Sequence, residues 1–335
     1  MLNPAVSFVR VISMLLILLA HFFSWKNINT FQIATVGVAA FLFISGYLYG
    51  VKSINNRMEW FIRRVIRVMI PFWILSLVLS IYLFFHEYDK NVAIFSFLET
   101  FFNLQGIHFI VHIPFKLGNY HVAGLSHCWF LTVIMLCYLL VAVIKNTKVE
   151  QFVNTHVNFF LVVMCLLHFL LSCFKISIGV FVIFFMGYLF QRIIPCQKQI
   201  SEKVLFISVS LSILSFVLRV LLKKYIDGTE VYDYFISSVS ANVCAISFFI
   251  VVCKICQMKF EFAKNVVQSR AWGEADKMTY PIYLSHFMFL HEPFEILFSQ
   301  NLLLQILTFV FMTVASAFLL NKISEIVKNT IILRR

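Results

Sequence analysis

Two ionisable residues, Arg10 and His21, lie within the first long apolar segment of the chain. Their separation of eleven residues exceeds three full helical turns by only about 20°, so both are expected on one helix face, roughly 16 Å apart along the axis. An imidazole can accept a proton near neutral pH, and a guanidinium can bind an anion. An ionisable group in a bilayer is costly, which favours a functional reading. The same pattern also fits an Arg that reaches lipid phosphates and a His at the outer interface.

A second basic group, Arg63, Arg64 and Arg67, follows the second apolar segment. Arg64 and Arg67 are about one helical turn apart, so they can face the same phosphate. The sequence has no glycine-rich phosphate loop of the soluble type, and these arginines are therefore the candidates for holding a nucleotide-like ligand. The alternative reading is that their charges only set the membrane topology.

The composition indicates a membrane protein. Of the 335 residues, 61% are hydrophobic and 13% are charged, whereas soluble domains carry about 25% charged residues. We attribute the net charge of +12 to topology and to contact with anionic lipids, and predict the lipid bilayer as a partner and no nucleic acid. Cys253 and Cys256 form a C-x-x-C pair, but no second pair at zinc-ligand spacing accompanies it, so we predict no metal site.

Apolar runs of roughly 20 residues predict an all-α bundle of about ten transmembrane helices. The predicted spans are Pro4–Trp25, Thr30–Val51, Val68–His86, His127–Lys145, Thr155–Cys173, Ile176–Arg192, Val204–Leu222, Tyr234–Ile255, Met278–Phe298 and Leu302–Ile323. One set of alternate loops then holds 19 basic residues and the other holds 6. This bias predicts that both termini are cytoplasmic. We expect a single integral-membrane domain over residues 1–335.

Five short motifs resemble, in the same order, those of the membrane acyltransferase-3 family. They are Arg10 with His21, Phe41 to Tyr47 around Ser45 and Gly46, Arg64 with Arg67 before Pro71, His127 to Leu131 around Trp129, and Tyr280 to His286 around Tyr283. Each motif is weak alone, but together they cover nearly the whole chain. One departure concerns residues 132–135, where many family members carry a Glu and this chain has none.

The resemblance implies transfer of an acyl group, usually acetyl from cytoplasmic acetyl-CoA, to a hydroxyl of a cell-surface or undecaprenyl-linked glycan. We predict a bacterial inner-membrane O-acyltransferase with acyl-CoA as co-substrate and no permanently bound cofactor. His21 is the expected general base, and Arg10 is expected to stabilise the oxyanion or the phosphates of the donor. The other expected site residues are Arg64, Arg67 and Arg63 for the donor, and Ser45, Trp129, Tyr283 and His286 for the acceptor or the cavity wall.

Two alternatives stay open from the sequence. A transporter or flippase of lipid-linked sugars also needs many apolar helices with buried Arg and His residues. Such proteins more often show repeated halves or helices broken by Gly or Pro at matching positions, and neither pattern is evident here. Within the family, a different donor such as succinyl-CoA would change the product and little else.

Overall fold

The structure, a computed structural model, describes residues 4–28, 31–86, 90–110, 122–193, 199–258, 269–290, 294–295 and 301–332. Within these ranges every long element is a helix. The α-helices are α1 (Pro4–Trp25), α2 (Phe31–Val51), α3 (Arg57–His86), α4 (Lys90–Phe101), α5 (Ile107–Ile110), α6 (Trp129–Ile144), α7 (Lys148–Thr155), α8 (Val157–Ser172), α9 (Gly179–Ile193), α10 (Glu202–Ile226), α11 (Ser237–Gln257), α12 (Arg270–Ser285) and α13 (Leu302–Ile332). The predicted all-α class is confirmed.

Six described segments are long and apolar enough to cross a membrane, and a seventh is added if α7 and α8, which meet at 96°, form one span. The six contain α1, α3, α6, α10, α11 and α13. Two shorter apolar helices, Ala34–Gly50 and Gly179–Phe190, lie within α2 and α9. The predicted count of ten spans and the predicted side of the chain ends are not confirmed and stay predictions.

The ninth predicted span, Met278–Phe298, differs from the structure. Helix α12 starts eight residues earlier, at Arg270, because the side chain of Ser269 caps it by accepting a hydrogen bond from the Trp272 amide at 3.1 Å. The helix ends at Ser285, and a short 3₁₀ turn follows. Apolar composition alone predicted neither end, because capping is local and the first two turns of α12 are polar.

The helices divide into an inner group and an outer group. About half of the apolar stretch is buried in α6 and α11, whereas only 11% is buried in α10 and 22% in α13. The exposed positions of α10 carry large apolar side chains such as Phe206 and Leu214. A helix that is apolar on its exposed side fits contact with lipid, so α10 and α13 form part of the outer surface of the bundle.

Helices α2 and α9 pack with their backbones almost in contact, and glycines make this approach possible. A Cβ atom at Gly46 would lie 1.9 Å from the carbonyl oxygen of Phe184, and one at Gly187 would lie 2.0 Å from that of Phe43. A third glycine, Gly50, is equally close to the α9 backbone. Small residues at membrane-helix interfaces allow this spacing. The glycine of the Ser45-Gly46 motif therefore serves packing, and it fixes the position of the neighbouring α2 side chains.

Candidate active site

Helices α1 and α12 run in the same direction and meet at two levels. Near the start of α1, Arg10 pairs with Asp276, and near its end, His21 contacts His286. Arg10 and His21 are eleven positions apart, and Asp276 on α12 and His286, the residue after its end, are ten apart, so the two contacts lie at matching heights along parallel helices. Two contacts flank them in the same order, Ser7 with Trp272 and Trp25 with Glu295.

The first level is an ion pair inside the bundle. One terminal nitrogen of Arg10 donates to both carboxylate oxygens of Asp276, at 2.8 and 2.9 Å. The Asp276 side chain is 5% exposed and that of Arg10 is 22% exposed. A buried carboxylate needs a partner, and Arg10 provides it. The guanidinium is thus held against α12, which argues against the reading in which Arg10 reaches out to lipid phosphates.

The second level is a cluster of three imidazole rings. His21 Nδ1 lies 2.8 Å from His286 Nε2, and the ring of His127 lies edge-on to that of His286 with centroids 4.7 Å apart. His286 and His127 each have a ring nitrogen 2.7 Å from the carbonyl oxygen of Tyr283. The Tyr283 hydroxyl donates to the His127 carbonyl at 2.7 Å, and Phe287 packs on the rings of His21 and His127.

The end of α12 explains why this carbonyl is shared. The last carbonyl groups of a helix lack intrahelical partners, and Tyr283 lies two residues before the end of α12 at Ser285. Two imidazole N–H groups satisfy its carbonyl instead. His286 is fully buried and contacts His21 directly, so it is more than a histidine packed separately in the bundle core.

Arg64 and the aromatic rings that it contacts form a third group of site residues. The guanidinium carbon of Arg64 lies 5.1 Å from the ring centroid of Tyr49 and 6.0 Å from that of Trp60. Its Nε is buried and has no hydrogen-bond partner within the described part of the chain. Arg67, about one turn further along α3, has an exposed side chain. Of the three arginines predicted to bind the donor, Arg64 is therefore the one that the described structure places against these aromatic rings.

Ser45 belongs to the same group of residues. It shares a hydrogen bond with Tyr138, which shares another with Tyr49. The two tyrosine rings are edge-on, with centroids 5.4 Å apart. A chain of hydroxyl groups thus leads from Ser45 on α2, through Tyr138 on α6, to Tyr49, whose ring Arg64 contacts.

Arg63 and Trp129 are placed differently from the other predicted residues. Arg63 pairs with Glu59 on the exposed face of α3, and its side chain is 72% exposed, so the structure does not bring it to the aromatic rings around Arg64. Trp129 is half-buried at the start of α6 and packs edge-on to Phe130. It supports the wall of the site through Phe130.

A small apolar cavity lies between the level of Arg10 and the level of the three histidines. Its volume is about 30 Å³, and its lining residues are Ile17, Val38, Phe41, Phe130, Tyr280 and Tyr283. Ile17 follows Arg10 by seven residues and precedes His21 by four, so all three lie on one face of α1. The residues on this face therefore run in the order cation, apolar wall and imidazole.

A larger, open cavity of about 370 Å³ lies beside the ends of α2, α6 and α9. Its central cation, Lys145, is buried and pairs with Glu150 at 2.9 Å, while the Tyr188 hydroxyl donates to the same carboxylate at 2.6 Å. Lys52 and Arg192 also line this cavity, but His21, His127 and His286 do not, so we place the candidate active site around Arg10, the small cavity and the three histidines instead.

Comparison with known protein families decides the class. Residues 3–322 match the acyltransferase-3 family, described as an acyltransferase domain. The chain belongs to this family. It is a multi-pass membrane acyltransferase, as the apolar helices and the family together indicate. Comparisons with curated proteins and with solved structures gave no match.

The structure of this acyltransferase adds residues that the sequence did not suggest. Asp276, the partner of Arg10, was not predicted, and His127 was noted within a motif but given no role. One signal could have found Asp276. Asp276 and His286 are ten residues apart, so their separation along a helix axis is close to that of Arg10 and His21, which are eleven apart.

Proposed function

We propose that this acyltransferase moves an acyl group, most simply acetyl, from acyl-CoA to a hydroxyl of a cell-surface or lipid-linked glycan at the bacterial inner membrane. The observation that carries the proposal is the ordered face of α1, with Arg10 below the apolar cavity and His21 above it. A donor that enters from the side of Arg10 and an acceptor that approaches from the side of the three histidines can meet on this face.

In the proposed reaction His21 is the general base. It takes the proton of the acceptor hydroxyl while the hydroxyl oxygen attacks the thioester carbonyl carbon. The carbon–sulfur bond then breaks, an ester remains on the acceptor, and the CoA thiolate takes the proton from the His21 imidazolium, which restores the base. A neutral imidazole suits this role because its ordinary pKa lies near the working pH.

Arg64 and Arg67 are the proposed donor-binding residues. The planar guanidinium of Arg64 is supported on the Tyr49 ring and keeps a buried Nε–H without a partner among the described residues. A phosphate oxygen is the natural acceptor for such a group. Arg63, on the exposed face of α3, would contact the donor only at the surface.

Arg10 has a different proposed role from Arg64. Because Asp276 neutralises most of its charge, Arg10 is better suited to position polar groups of the donor, or to stabilise the developing oxyanion, than to hold a phosphate alone. Ser45 and Tyr283 belong to the walls of the proposed passage, and Trp129 supports it from behind Phe130. The proposal needs acyl-CoA as co-substrate and no permanently bound cofactor.

Mass spectrometry of surface glycans tests the proposal. Cells would express the wild-type protein, His21→Ala, Arg64→Ala, or Lys277→Ala as a control at an exposed cation. We expect one acyl increment per glycan repeat with the wild type and the control, and none with His21→Ala or Arg64→Ala at equal membrane levels. Acylation that persists in both variants would reject this mechanism. A change in the amount or export of glycan, without a change in its mass, would support the transporter function instead.

A further inference from the structure

The hydrogen bonds around His286 determine which of its nitrogens carries a proton. Its Nδ1 lies 2.7 Å from the carbonyl oxygen of Tyr283. A carbonyl oxygen can only accept a hydrogen bond, so Nδ1 must be the donor and must carry hydrogen. The ring is fully buried, and no ion pair of the described residues includes it. A buried imidazole without a carboxylate partner is neutral, and its Nε2 therefore holds a lone pair.

The same logic extends to His21. Its Nδ1 lies 2.8 Å from His286 Nε2, a distance at which one nitrogen must donate to the other. Since His286 Nε2 holds a lone pair, His21 Nδ1 must carry the hydrogen. In a neutral ring the second nitrogen, Nε2 of His21, is then unprotonated and basic.

We propose that His286 is a positioning residue that fixes the tautomer of His21, so that Nε2 is the nitrogen that accepts the proton of the acceptor. This inference rests on the proposed function of His21 as general base. When Nε2 takes up the proton, Nδ1 continues to donate to His286, so the contact needs no rearrangement during the reaction. His286, itself held by the Tyr283 carbonyl at the end of α12, takes the place of the carboxylate that orients the base in many enzymes. The negative end of the helix dipole also favours the imidazolium that forms.

Two substitutions at His286 separate positioning from other roles. His286→Gln keeps an acceptor for His21 and a donor for the Tyr283 carbonyl but cannot titrate, whereas His286→Leu keeps neither. The full-length protein would be purified in mild detergent. Release of CoA thiol from acetyl-CoA, with octyl glucoside as the hydroxyl probe, would be measured between about pH 5 and 9, the range in which a histidine base titrates.

We expect His286→Leu to lower kcat by about 10- to 100-fold, the usual cost of losing an orienting partner, with little change in the KM for acetyl-CoA. His286→Gln should retain most of the wild-type kcat. It should also lose activity at acid pH as the wild type does, because protonation of His21 causes this loss in both proteins. Equal kcat values for wild type and both variants would overturn the proposal. A Gln variant as inactive as the Leu variant would overturn it too, because His286 would then itself transfer a proton.

Two controls keep the outcome interpretable. If His286→Leu fails to fold, judged by size-exclusion chromatography, the pH profile of His286→Gln against wild type still decides the question. If the wild type releases no more thiol than His21→Ala, the proposed function fails, independently of any result at His286.

Discussion

The ion pair between Arg10 and Asp276 makes a prediction that separates stability from catalysis. We consider three variants, Arg10→Gln, Asp276→Asn and the double variant. Each single change leaves one buried charge without its partner, whereas the double variant leaves a neutral pair that can still form hydrogen bonds. The single variants should therefore be less stable than the double variant, although the double variant contains more changes.

The burial of the ion pair determines how much stability each variant should lose. Breaking a fully buried ion pair costs about 3–5 kcal/mol. Arg10 is 22% exposed, so water compensates part of the loss, and we take about 2 kcal/mol for each single variant. Exchanging the charged pair for a neutral one should cost about 1 kcal/mol. The expected coupling energy is then about 3 kcal/mol, at the upper end of values for residues in contact.

Unfolding in mixed micelles, followed by helical circular dichroism during titration with SDS, measures these free energies. The exposed pair of Lys277 and Glu274, at 2.9 Å on the same helix, is the matched control, and its coupling should stay below about 1 kcal/mol. Additive effects at Arg10 and Asp276, within about 0.5 kcal/mol, would refute the reasoning. The double variant should regain stability but not acyl transfer, because the charge of Arg10 is still missing.

Two further predictions concern packing and donor binding. Gly46→Ala should strongly reduce the melting temperature and the amount of protein in the membrane, because the added Cβ atom would lie 1.9 Å from a backbone oxygen. Gly273→Ala is the control, since the space around Gly273 is open, and it should change neither quantity. Equal effects of the two variants would contradict the packing argument. Arg64→Lys should raise the KM for acyl-CoA by about tenfold in steady-state assays, since Lys cannot stack on Tyr49 or bind phosphate through a planar fork. The matched change Arg192→Lys, in the larger cavity, should leave this KM unchanged, and a rise there instead would place the donor in that cavity.

The sequence predicted helices well where apolar runs were long and had clear ends. The predicted bounds of the first span, Pro4–Trp25, are those of α1, and the last span begins at Leu302, as α13 does. The prediction was less accurate where tertiary contacts or caps decide the length. The ninth span missed the polar start of α12 at Arg270, which depends on the cap at Ser269.

Helical periodicity also predicted part of the site. It placed Arg10 and His21 on one face of α1, and both do contact α12. The partners could not be predicted in the same way, because Asp276 and His286 lie more than 260 positions away in the chain. Spacing along one helix reports which side chains share a face, but it does not report which other helix packs there.

The pairing of α1 with α12 has a consequence for biosynthesis. Arg10 and His21 enter the membrane with the first helix, but their partners are separated from them by 266 and 265 positions. During most of translation the nascent helix therefore carries a cation and an imidazole in the bilayer without these contacts, at a cost of a few kcal/mol. The ribosome-bound chain needs another partner for α1, in the insertion machinery or in neighbouring helices, until residues 270–286 are synthesised. The two contacts between α1 and α12 thus form only in the last stage of synthesis.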